Sequence, residues 1–95
     1  MTEAALPADV VTRVERDYDE AERAAVILAL GGLSSATREH ARVARCVLYV
    51  AAGDLQEFER MIALAHTDFR DVIVAAEYDR DLRHLRDLSQ PFADP

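Results

Sequence analysis

Lysine, asparagine and tryptophan are absent from this 95-residue chain, cysteine occurs once, and glycine and proline occur three times each. Each shortage removes a class of protein. The single thiol, Cys46, permits no intramolecular disulfide, so a stapled secreted scaffold is excluded. Glycine at positions 31, 32 and 53 alone leaves no glycine-rich phosphate cradle, no dinucleotide fingerprint and no Gly-x-Ser-x-Gly elbow. The longest strongly apolar run, Ala24 to Leu33, is about half of the roughly 20 residues that a membrane-spanning helix needs. The opening Met1-Thr2-Glu3 lacks the basic and apolar stretches of an export signal, and a cytoplasmic protein is expected.

Positive charge is also scarce. Eleven arginines stand against 18 acids, for a formal charge of −7. Residues 1–33 carry seven acids and three arginines, residues 34–66 four of each, and residues 67–95 seven acids and four arginines. Such a surface repels phosphate backbones and anionic lipid, so neither a nucleic-acid nor a membrane partner is expected. Abundant Ala and Arg without Lys reads as the bias of a GC-rich bacterial genome.

What the chain does have is 51% hydrophobic and 31% charged residues, the balance of one ordinary globular domain. Pro7 suits a first helical turn, and Val11, Val14, Tyr18, Ala21, Ala25 and Leu28 follow at 3-4 spacing, predicting a first helix over about 8–30. The Asp17-Tyr18-Asp19-Glu20 cluster is where it would break, and Gly31-Gly32 is where it stops. Ser34 and Ser35 offer caps for a second helix over 36–52, ended by Gly53. Asp54-Leu55-Gln56-Glu57 has capping-box spacing for a third helix to about His66, and Thr67-Asp68 caps a fourth from Phe69. Tyr78, Leu82, Leu85 and Leu88 keep helical spacing, so this last helix is expected to continue, or restart near Asp79, up to Pro91. The fold class is all-α, a compact bundle of four to five helices in a single domain over 1–95, with residues 1–7 and 90–95 mobile.

Few residues carry chemistry. Arg38, Arg42 and Arg45 form a stripe on the second helix that suits an anion or an acidic partner. The competing and favoured reading is that they pair with the acidic outer segments of the same chain. Glu77, Asp81 and His84 share one face of the expected last helix in a spacing compatible with a divalent metal, but no matching half stands on a second helix. His40, His66 and His84 read as ordinary surface histidines, and Cys46 in its apolar surroundings as a core residue rather than a nucleophile. No catalytic, metal or cofactor residue is assigned, and the chain is not expected to be an enzyme.

The segments Ala24–Leu30, Val47–Ala52 and Val72–Ala76 are apolar nearly all round. Three such helices are hard to cover within 95 residues, which predicts a protein-interaction or structural module that self-associates. Val26, Ile27 and Leu30 lie off the inward stripe of the first helix and are the expected homodimer interface. An enzyme or accessory subunit of unidentified chemistry is the alternative.

From Val43 to Tyr78, the Gly53-Asp54-Leu55 turn and the Asp68-Phe69-Arg70-Asp71 helix start resemble a group of small helical bacterial proteins of uncharacterised function. The resemblance implies a helical fold there and no activity, substrate or site.

Overall fold

Proline 7 sits in extended backbone and the helical turn begins one residue later, as its fixed φ and missing N–H allow. The computed structural model describes residues 6–33 and 40–92. Among them are four helices, α1 (Ala8–Asp17), α2 (Glu20–Gly31), α3 (His40–Ala51) and α4 (Leu55–Glu77), and no strand. The Cα radius of gyration is 12.4 Å, about what a compact chain of this length should have. No helix among the described residues is long and apolar enough to cross a membrane.

The first predicted helix is two helices. Tyr18 leaves helical geometry at φ −126°, ψ 146°, and Asp19 follows in extended backbone. Arg23 of α2 reaches back across the break and donates to the Tyr18 carbonyl at 3.0 Å and the Glu15 carbonyl at 2.9 Å, satisfying acceptors that the end of α1 leaves open. The bend resets the helical phase, with direct consequences for which side of α2 is buried. Val26 and Leu30 are fully buried, whereas Leu28, expected to face inward with Ala21 and Ala25, is 67% exposed.

Helix α3 occupies the centre: Val43 to Leu48 are buried without interruption. This stretch is covered on all sides, while Tyr49 on the next turn is exposed. The main neighbour of α3 is α4. The Ser34 and Ser35 caps lie outside the described residues. At the far end, Ala52 and Gly53 take positive φ, and a Cβ on Gly53 would come 3.1 Å from the Asp17 carbonyl oxygen. The turn therefore needs glycine both for its conformation and for its approach to the end of α1.

The Asp54 carboxylate accepts from the Gln56 and Glu57 amides at 2.9 and 3.2 Å, the expected N-cap of α4. The reciprocal half of the capping box does not form, because the Asp54 amide donates to the Ala51 carbonyl and Glu57 pairs with Arg60. The predicted third and fourth helices run together as α4, with a kink at Asp68, whose extended backbone and carboxylate contact with the Arg70 amide at 3.0 Å are a cap set inside the helix.

Beyond Glu77 the structure departs from expectation: residues 78–92 form a non-helical strap. The Asp79 carboxylate accepts from the Asp81 and Arg83 amides, its carbonyl accepts from Leu82, and Leu82 takes φ 63°. A local side-chain turn has outcompeted the next helical turn. Leu88 is buried, but Leu82 and Leu85, which the helical pattern would place beside it, are 70% and 53% exposed. The described parts of both ends are held, with Leu6 and Phe92 packed against the core.

Candidate functional site

The structure contains a buried polar cluster under the strap and an apolar groove at the other end of α4. Glu77, at the last turn of α4, is completely buried, a place a carboxylate occupies only when its oxygens are well partnered. Arg42 of α3 grips it in bidentate fashion, Nε to Oε2 at 2.8 Å and Nη2 to Oε1 at 2.6 Å. The Leu88 amide donates to Oε2 at 3.1 Å, His84 Nε2 lies 2.9 Å from Oε1, and the Cys46 thiol is 3.8 Å from Oε2. Burial pushes the carboxyl upward, but the hydrogen bonds from Arg42, His84 and Leu88 outweigh it and hold Glu77 below the usual carboxylate range.

Arg45, one helical turn on, is also buried and clasps Asp9 of α1 at 2.8 and 3.1 Å. Its third nitrogen donates to the carbonyls of Leu88 and Ser89, both at 3.2 Å, while Asp9 accepts from the Phe92 amide at 3.1 Å. Together these charges hold the strap by its main chain. Arg86 adds a hydrogen bond to the Ala76 carbonyl and lies 4.4 Å from the centre of the Tyr49 ring.

These contacts revise the candidate residues. Arg42 and Arg45 are committed to acids 35 and 36 residues away in the same chain and do not present a stripe to a partner. Arg38 lies outside the described residues. Glu77 and His84 do meet, though through the turn at Asp79 rather than along a helix face, and Asp81 stays exposed. No group of three or more His, Cys, Asp or Glu able to hold a metal ion occurs among the described residues. His40 is a buried cap rather than a surface residue, its Nε2 donating to the Leu30 carbonyl at 2.8 Å at the end of α2. Cys46 is fully buried, and burial, reinforced by the Glu77 charge, pushes its thiol up to about 12, so it stays protonated at neutral pH.

The expected dimer residues are likewise redistributed. Val26 and Leu30 belong to the core, and Ile27 packs against it, because the bend at Tyr18–Asp19 turned α2 about its axis relative to an unbroken helix. The surplus apolar face exists, on the other side. Ala21, Ala25 and Leu28 line up at i, i+4 and i+7 and are exposed. Beside them, Ala21, Glu22, Ala25, Val26 and Ala29 of α2 and Leu55, Phe58 and Glu59 of α4 enclose a groove of about 300 Å³. Val26 and Phe58 form its floor, since both are buried, and Tyr18 braces Phe58 edge-on with ring centres 5.8 Å apart. Glu22 and Glu59 supply the groove's charge, and neither carboxylate pairs with a cation among the described residues. Periodicity missed this groove because the unbroken-helix register put Ala21, Ala25 and Leu28 inside. The signal that would have found it is the Asp-rich break, taken as a point where the phase restarts.

Comparison with family models, with curated proteins and with solved structures finds no match for this chain.

Proposed function

We propose that this chain is a protein-interaction module that docks, in the groove between α2 and α4, an apolar segment of its partner flanked by cationic side chains. The observation that carries this reading is the groove itself: an apolar hollow of about 300 Å³ with two carboxylates that pair with no cation among the described residues, and with the exposed Leu28 on the same helix face as its Ala21 and Ala25. Apolar surface of this kind is costly to leave in water, and its acidic lining favours a partner of opposite charge. The cluster around Glu77 supports the same reading by default. Its acids and arginines are spent on one another and on the strap main chain, and its thiol is protonated, so it is organised to hold the fold together.

The test uses two synthetic amphipathic helical peptides, identical in their leucines, with arginines flanking the apolar face in one and glutamates in the other. Titrated into isotope-labelled protein, the arginine peptide should shift the amide signals of Ala21, Ala25, Ala29 and Phe58, more weakly as salt is raised. The glutamate peptide should leave them in place. Shifts that fall elsewhere, or none with either peptide, would reject the groove as a docking site.

A further inference from the structure

We infer that the segment docked by the groove is the strap turn of a second copy of this chain, with Leu82 and Leu85 entering the hollow and Arg80 and Arg83 meeting Glu22 and Glu59. This inference rests on the docking reading above and names its occupant.

The described residues contain five large apolar side chains with substantial exposure, Leu28, Tyr49, Val74, Leu82 and Leu85. Leu28 flanks the groove itself, and Tyr49 is covered on one face by Arg86. Leu82 and Leu85 stand apart from the rest: they lie three residues from each other on a turn whose main chain is fixed and whose exposed neighbours Arg80 and Arg83, which outnumber the exposed Asp81 between them, form no ion pair among the described residues. An apolar pair flanked by guanidinium groups that form no ion pair among the described residues is the chemical complement of an apolar hollow whose carboxylates likewise form none there. Both halves of the match occur on one sequence.

The turn is held out for such a contact rather than collapsed. Asp79 caps it from within, and the Leu85 amide donates to the Glu77 carbonyl at 2.6 Å, so Leu82 and Leu85 stay close to the C-terminal end of α4. The groove lies at the opposite end of α4, around Leu55 to Glu59. With Leu85 latched to Glu77, the turn contributes no residue to the lining of the groove in its own chain. A second chain supplies it. Joining groove to turn also removes the objection to self-association of an acidic protein. A groove-to-groove contact would oppose Glu22 and Glu59 of one copy to the same residues of the other, whereas this contact sets arginine against glutamate across a heterologous interface.

The experiment is sedimentation equilibrium on the full chain from low to high micromolar concentration. The wild type should exceed the 10.6 kDa monomer mass as concentration rises. Leu82→Asp/Leu85→Asp should weaken association by about 30-fold or more with an unchanged circular dichroism spectrum, since both side chains are exposed within one chain. Arg80→Glu/Arg83→Glu and Glu22→Arg/Glu59→Arg should each weaken it when alone and restore it when the two variants are mixed, a mutual rescue that a merely structural role would not give. A wild type that stays at the monomer mass at high micromolar concentration overturns the inference, as does association indifferent to the leucines or charge reversals that fail to rescue each other. If the arginine peptide binds the groove while the wild type remains monomeric, the docking reading stands and this inference alone fails. If neither binds, both fail.

Discussion

Arg42 and Glu77, 35 residues apart in sequence, form a bidentate pair at 2.8 and 2.6 Å in which the carboxylate is wholly buried and the guanidinium is about one-quarter exposed. The pair ties α3 to the last turn of α4, and through the Leu88 amide it ties both to the strap. A buried pair contributes little when compared with apolar residues of the same shape, but removing one member leaves the other charged and unsatisfied.

Arg42→Met should therefore cost about 3 kcal/mol or more, since it strands Glu77, while Glu77→Gln should cost less because the amide stays neutral. Urea melts of the two variants check the order. Equal losses would show that the carboxylate does not depend on its arginine.

Acid should release the strap. Arg45 holds Asp9 below the ordinary carboxylate range against the opposing effect of burial, with help from the Phe92 amide. At Glu77 burial pushes upward and the hydrogen bonds of Arg42, His84 and Leu88 prevail, again leaving the folded value depressed. A depressed folded pKa contributes stability that is present above the unfolded value, about 4 for these groups, and lost as pH falls through the folded one. The denaturant midpoint should thus fall below about pH 4, with the Leu88 and Phe92 amides losing hydrogen-exchange protection, and Glu77→Gln should flatten its share of that slope. A midpoint level down to pH 2 would contradict both assignments.

Cys46 should resist thiol reagents in the native protein and react only through opening of the fold, because the sulfur is inaccessible and its thiol is pushed up to about 12. Arg42→Met should speed the labelling about tenfold for each 1.4 kcal/mol of stability it loses. Cys46→Ser should lower stability by about 1–3 kcal/mol, as a hydroxyl replaces a weakly polar thiol in the core. Rapid labelling of the wild type without unfolding would overturn the buried placement.

Gly53→Ala should cost at least about 1 kcal/mol, from a φ of +87° that a side chain disfavours and from a Cβ 3.1 Å from the Asp17 carbonyl oxygen. Thermal melts of the two proteins read it. A neutral result would mean that the turn and the end of α1 move apart freely.

The exposed place of Leu28 can be checked as directly. Leu28→Ser should leave stability within about 0.5 kcal/mol of the wild type, whereas Leu30→Ala should lose about 2–5 kcal/mol, because one side chain is 67% exposed and the other fully buried. The reverse order in denaturant melts would restore the unbroken-helix register.

What the sequence determined by itself was local. Helix starts at Pro7 and Asp54, the stop at Gly31, the turn at Gly53, the kink at Asp68 and the weak point at Asp17–Asp19 all follow from caps, fixed φ values and side-chain competition within four residues of chain. The tertiary structure decided the rest. A two-residue bend is enough to turn α2, so Val26 and Leu30 exchanged places with Ala21, Ala25 and Leu28 even though the helical character of the segment was legible. The charge distribution led to the expectation that the arginines of α3 pair with the acidic outer segments, but which acids they took, 35 and 36 residues distant, lies where no periodicity reaches. The strap gave up a helical pattern at Tyr78, Leu82, Leu85 and Leu88 because Glu77 and Arg45 captured its main chain, and a buried charge that must be satisfied outranks two leucines that water can tolerate.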